Sequence, residues 1–188
     1  MKQLFMFGWC LFLSAHCIAQ TTRSAKDSAG KFLHNNIYEF NKRVTTDPFP
    51  PIGKWKDITG KEFDFNAISR AAVIRFGFRG CPPCKSEMKT FIKLSKEYKN
   101  VDFLYVTYDS PQEIGEDIKA FYPDVGRMRF ISIPQTYINA YRLTFGYPCT
   151  YLVQAPNDVL HVENGGTVDK DSIVLTYYRH TLDSVFAR

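Results

Sequence analysis

A largely apolar run, AAVIRFGF at 71–78, leads through Arg79 and Gly80 into CPPC at 81–84. The residues after it, KSEMKTFIKLSKEYK, keep a helical spacing through Cys84, Met88, Phe91, Ser95 and Tyr98. A buried strand passing directly into an amphipathic helix is a unit of an α/β fold, and the two cysteines stand at its junction.

The rest of the chain continues the alternation. VDFLYVTYD (101–109) reads as a strand, QEIGEDIKAFY (112–122) as a helix and MRFISI (128–133) as a short strand. A less regular segment follows. CTYLVQA (149–155), a turn at Pro156-Asn157-Asp158 and VLHVEN (159–164) then predict a hairpin, and DKDSIVLTYYRHTLDSVFA a closing helix with apolar residues at Ile173, Leu175, Tyr177, Leu182 and Phe186. Upstream, GKWKDITGKEFDF alternates well enough for a hairpin turning at Thr59-Gly60. The pattern predicts a partly parallel sheet flanked by helices, in one domain from 48 to 188, where Pro48, Pro50 and Pro51 stop any earlier helix.

The first 19 residues have a short start carrying Lys2, an apolar run from Leu4 to Leu13 and a small-residue end at Cys17-Ile18-Ala19. That is the grammar of a secretory signal. The run is shorter than the ~20 apolar residues that span a bilayer, so the membrane is met only through this segment, if it stays uncleaved. Residues 20–47 are polar with scattered aromatics and read as an extension with one short helix. The expected address is periplasmic or secreted. The charge balance, 24 Lys and Arg against 19 Asp and Glu, is spread along the 188 residues and carries no nucleic-acid signature.

Cleavage after Ala19 removes Cys10 and Cys17 and leaves Cys81, Cys84 and Cys149. An odd number cannot all pair within one chain, so the three cysteines read as a site and not a disulfide framework. Pro82 and Pro83 fit a first helical turn, where a missing N–H costs least. Cys81 then sits at the positive end of the helix dipole, which lowers a thiol pKa from about 8.5 toward roughly 7 or below. Attack by Cys81 on a substrate predicts an exposed sulfur. Cys84, one turn later on the same side, is placed to resolve a mixed disulfide on Cys81. Zinc usually takes four ligands, and no second C-x-x-C accompanies the scattered His34, His161 and His180. So short a disulfide loop also constrains the unfolded chain little. Redox chemistry, with the Cys81–Cys84 pair itself as redox centre and neither cofactor nor metal, is the reading that remains.

These residues resemble the thioredoxin-like superfamily, in particular the exported TlpA/ResA-type thiol-disulfide oxidoreductases. AAVIRFGF with CPPCKSEM resembles their strand-to-helix active site, and GYPCTYLV (146–153) their glycine, cis-proline and strand. The resemblance implies a thioredoxin-like fold over about 48–188, with Cys81 as attacking thiol, Cys84 as resolving thiol and Pro148 as a cis-proline facing them. It implies that Glu87 takes a proton from Cys84, and that Gly80, Pro82, Tyr147 and Pro148 form the docking surface. The implied partners are disulfide-containing exported proteins, in cytochrome maturation or thiol homeostasis, and a membrane thiol reductant. Disulfide oxidase or isomerase activity, or a copper- or zinc-binding module using Cys81, Cys84 and Cys149, are the alternatives.

Three departures from that pattern carry expectations. Gly80 replaces an aromatic residue and would leave the face beside Cys81 open. Arg75 interrupts an apolar strand and, if buried, needs a partner. Glu87 is the expected one, and the pairing would weaken it as a proton acceptor. Cys149 follows Pro148, where threonine is common, and faces either the pair, as a third thiol, or the core.

Overall fold

The computed structural model describes residues 36–167 and 171–186. The expected signal segment and residues 20–35 of the expected extension lie outside them. After a helix at 36–46 (α1) come β1 (Lys54–Lys56), β2 (Glu62–Asp64), β3 (Ala72–Gly77), α2 (Pro82–Glu97), β4 (Asp102–Thr107) and α3 (Pro111–Phe121). The chain continues with β5 (Met128–Ser132), α4 (Gln135–Ala140), β6 (Cys149–Gln154), β7 (Asp158–Asn164) and α5 (Asp171–Phe186).

The main sheet has the order β5-β4-β3-β6-β7. β3 pairs parallel with β4 and β4 with β5, because α2 and α3 carry the chain back between them. β6 pairs antiparallel with β3 and β7. This is the mixed sheet that the strand and helix alternation predicts. β1 and β2 form a separate hairpin, turning at Gly60 with φ +86°.

Period-two alternation along β3 and β6 divides the core in two. Ile74, Phe76, Cys149, Tyr151 and Val153 pack on one side with Phe49, Ile52 and Phe65. Val73 and Leu152 pack on the other with Met88, Phe91 and Leu94 of α2 and Val174, Tyr178 and Leu182 of α5. The buried stripe of α5 is therefore Val174, Tyr178 and Leu182, at i, i+4 and i+8. Of the expected positions only Leu182 belongs to it, and Ile173 and Tyr177 are exposed. Aromatic content and amphipathic face are separable on this helix because Tyr177 and Tyr178 are adjacent.

The compact unit begins at Phe40, ahead of the expected start at 48. Phe40 and Val44 stand one turn apart on α1 and are both buried in the core. Burial of two such side chains contributes about 1.5–3 kcal/mol each, which anchors this segment to the core. The irregular segment before β6 contains α4, whose six residues are too few to display a period. The β6–β7 turn is structural: Asn157 is buried, its Oδ1 accepts from Ile68 N–H at 3.0 Å and its Nδ2 donates to Phe65 O at 3.1 Å.

Candidate active site

At the end of β3 the chain makes a turn in which Cys81 N–H donates to Phe78 O at 3.1 Å. Cys81 caps α2, its Sγ accepting from Cys84 N–H at 3.2 Å, with Pro82 and Pro83 in the first turn and no acidic residue there. The positive pole of the helix is thus left for sulfur. Cys81 and Cys84 are joined as a disulfide with Cα atoms 5.2 Å apart. The loop before them is fastened to α3: Asp109 Oδ2 accepts from Arg79 N–H at 2.7 Å, and the Arg79 side chain reaches Asp117 at 3.0 Å and Glu116 at 3.3 Å. Asp109 had no sequence signal, since it reaches the loop from the end of the neighbouring strand β4, 30 positions on.

The expected exposure of Cys81 is not observed. It is 3% exposed and Cys84 fully buried, although Gly80 and Pro82 on either side of Cys81 are exposed. The 78–81 turn points the sulfur inward, toward the first N–H groups of the helix. Nor is the face beside Gly80 open. A Cβ on Gly80 would stand 2.9 Å from Cε2 of Phe78, so that ring occupies the space an aromatic residue at position 80 would leave vacant when replaced by glycine.

The Tyr147–Pro148 bond is cis, as is Ala155–Pro156, which carried no expectation. Pro148 is buried and follows the register one step beyond the Phe76–Cys149 pair, beside the end of β3 that leads to Cys81. Tyr147 is half-buried and meets Phe78 edge to face at 5.2 Å. The 165–167 segment closes over this corner: Gly165 N–H donates to Pro148 O at 2.7 Å, and Ser86 Oγ to Thr167 O at 2.7 Å. Gly166 has no room for a side chain, since a Cβ would lie 2.7 Å from Pro148 Cγ and 3.0 Å from Glu87 Oε1.

Arg75 is buried and pairs with Glu87, Nη2 to Oε2 at 2.5 Å. Nη1 donates to Thr150 Oγ1 at 2.9 Å and the guanidinium lies over the Phe91 ring at 4.3 Å. The second carboxylate oxygen of Glu87 accepts from Thr167 N–H at 2.7 Å. Glu87 is one turn beyond Cys84, as its spacing predicts, but both of its oxygens are engaged by donors that tie β3, α2 and the 165–167 segment together. Thr150, Thr167 and Tyr178, whose OH stands 3.4 Å from Nη1, had no sequence signal as parts of this cluster.

Cys149 is free and fully buried, on the sheet face opposite α2. Burial pushes its thiol up to about 12, and its Sγ donates to Leu143 O at 3.9 Å. It faces the core and not the pair. Among the described residues no three His, Cys, Asp or Glu side chains are grouped to hold a metal ion.

Glu163, on β7, is raised from 4.5 chiefly by burial; the hydrogen bond from Tyr177 lowers it, the Glu87 charge raises it, and Arg75 and Tyr178 lower it. A carboxyl raised on folding binds its proton more tightly in the native state, so stability falls as pH rises from about 4.5 through the folded value. Glu163→Gln is expected to flatten that descent in urea midpoints measured from pH 4 to 8 on about that window. An unchanged slope would remove Glu163 as its source.

No protein-family model matches the chain. Among curated proteins it is 36% identical over 56 residues to mouse thioredoxin domain-containing protein 8, covering 30% of this chain and 44% of that one. It is 26% identical over 119 residues to the thioredoxin-like protein YneN of Bacillus subtilis, covering 62% and 69%. The chain thus spans less than half the length of the first of these relatives. The thioredoxin domain of a thiol-disulfide oxidoreductase from Bacteroides vulgatus superposes with a TM-score of 0.57 at 18% identity, over 75% of this chain and 97% of that one. A secreted Mycobacterium tuberculosis disulfide oxidoreductase superposes at 0.54 and 14%, over 68% and 94%. With the strand order and the cysteine pair at the mouth of α2, these likenesses establish that the chain has the thioredoxin-like fold.

Proposed function

We propose that this chain is an exported thiol-disulfide oxidoreductase of the TlpA/ResA type that reduces disulfides in exported proteins, in cytochrome maturation or thiol homeostasis, and is itself re-reduced by a membrane thiol carrier. The observation that carries the reading is the Cys81–Cys84 disulfide capping α2 at a helix pole free of acidic side chains. In the reduced protein the Cys81 thiolate attacks a substrate disulfide, forming a Cys81–substrate disulfide and releasing one substrate thiolate. The Cys84 thiolate then attacks Cys81 Sγ, closing the Cys81–Cys84 disulfide and releasing the second. Two electrons pass to the substrate and no other cofactor is needed. Export is supported by the signal-like first 19 residues, and no helix among the described residues is long and apolar enough to cross a membrane.

Titration of the protein against glutathione, with alkylation and mass analysis of Cys81, Cys84 and Cys149, tests the proposal. One two-electron couple is expected, confined to Cys81 and Cys84, with a potential below about −200 mV, while Cys149 is labelled only after unfolding. A potential near about −120 mV would favour the oxidase or isomerase reading. Copper or zinc retained by the reduced protein with Cys149 protected would favour the metal-binding one.

A further inference from the structure

We infer that the Phe78 ring is a cover over the Cys81 sulfur, which sets how fast, and beside which residues, a thiol reaches the disulfide. The inference rests on the redox reading above. Cys81 is 3% exposed although Gly80 and Pro82, on either side of it, are exposed. Phe78 and Cys81 are the two ends of one turn, and the ring lies against the bare face of Gly80. It is held there from two sides, stacked on Tyr108 at 5.5 Å and 19° and edge to face with Tyr147 at 5.2 Å and 78°. Unlike the fully buried Phe76 two residues earlier, Phe78 is only half-buried, so part of its ring already faces solvent.

Opening of the disulfide requires a thiolate to form a bond to Cys81 Sγ while the Cys81–Cys84 bond breaks and Cys84 leaves as thiolate. The ring has to leave for that bond to form, and equally for the reverse step. Both rates therefore change together when it is removed, and the equilibrium constant does not. A substrate with an aromatic or aliphatic side chain beside its cysteine can replace the contacts Phe78 gives up to Tyr108 and Tyr147, whose centroids are 6.1 Å apart. A substrate with a small polar neighbour cannot. Phe78 thereby favours cysteines flanked by apolar residues.

Stopped-flow opening of the oxidised protein by glutathione tests this. Phe78→Ala is expected to speed opening by about tenfold, the factor that freeing two aromatic contacts implies, with the glutathione equilibrium constant unchanged. Gly80→Ala, whose methyl displaces the ring, is expected to act in the same direction. If Phe78→Ala fails to fold, that variant carries the test. Wild type is expected to exchange faster with a peptide disulfide flanked by Phe than with one flanked by Ser, and the difference to shrink in Phe78→Ala. An unchanged opening rate, a rate gain matched by a shift in equilibrium, or no peptide preference overturns the inference. Should the wild-type disulfide not exchange with glutathione at all, the redox reading fails instead. The cover is then judged by iodoacetamide labelling of Cys81 after dithiothreitol reduction, which Phe78→Ala has to accelerate.

Discussion

A Cys81→Ser variant is expected to lose disulfide exchange altogether, whereas Cys84→Ser keeps the first half of the reaction and accumulates a covalent adduct with its substrate. The asymmetry follows from position. Cys81 caps α2, where its sulfur accepts Cys84 N–H and faces the positive end of the helix, so it is the sulfur suited to be a thiolate and to be attacked. Cys84, one turn in and fully buried, meets no substrate and serves only to release it. With oxidised insulin or a peptide disulfide, non-reducing mass analysis reads the outcome. Turnover by Cys81→Ser, or adducts on Cys84 in place of Cys81, would reverse the assignment.

The second large effect concerns the buried ion pair. Arg75→Met is expected to cost about 3–5 kcal/mol in urea unfolding, because it leaves the Glu87 carboxylate sealed inside without its guanidinium. The double variant Arg75→Met, Glu87→Leu is expected to recover most of the loss, since exchanging a buried pair for apolar side chains of similar volume is often close to neutral. Glu87→Gln leaves Arg75 short of its countercharge and is likewise destabilising, yet in the folded protein it is expected to leave the Cys84 step little changed. Both carboxylate oxygens of Glu87 are already occupied, by Arg75 and by Thr167 N–H. A loss at Arg75→Met no larger than the about 0.5 kcal/mol of a surface change would end the structural role, and a slowed Cys84 step in Glu87→Gln would restore the proton-accepting one.

The two roles of Arg75 and Glu87 illustrate how far a sequence reaches. A charge inside an apolar strand has to be paired if buried, and Glu87, on the helix that follows, was the nearest carboxylate able to face it. Thr150 and Tyr178, which reach Arg75 from 75 and 103 positions further on, and Thr167, which donates to Glu87, complete the cluster, and no periodicity encodes such a meeting. Burial of Cys81 is not legible in the sequence for a related reason. Helix chemistry places its sulfur at the dipole, but its exposure depends on the 78–81 turn and on how Phe78 lies against Tyr108 and Tyr147. Glycine at position 80 predicts a vacancy, and only the neighbouring ring shows that the space is taken. α4 leaves no trace because six residues show no repeat, and the face of α5 is hidden because two adjacent tyrosines fit the apolar count equally well.

The amino-acid order alone determined the strand that feeds α2, the cysteine at its cap, the resolving cysteine one turn on and the alternation that builds the sheet, because each depends on residues within a few positions of one another. The tertiary structure decided what shields Cys81, what occupies Glu87 and which face Cys149 takes. These follow from contacts between β3, β6, α2, α5 and the 165–167 segment, which exist only once the sheet register is closed.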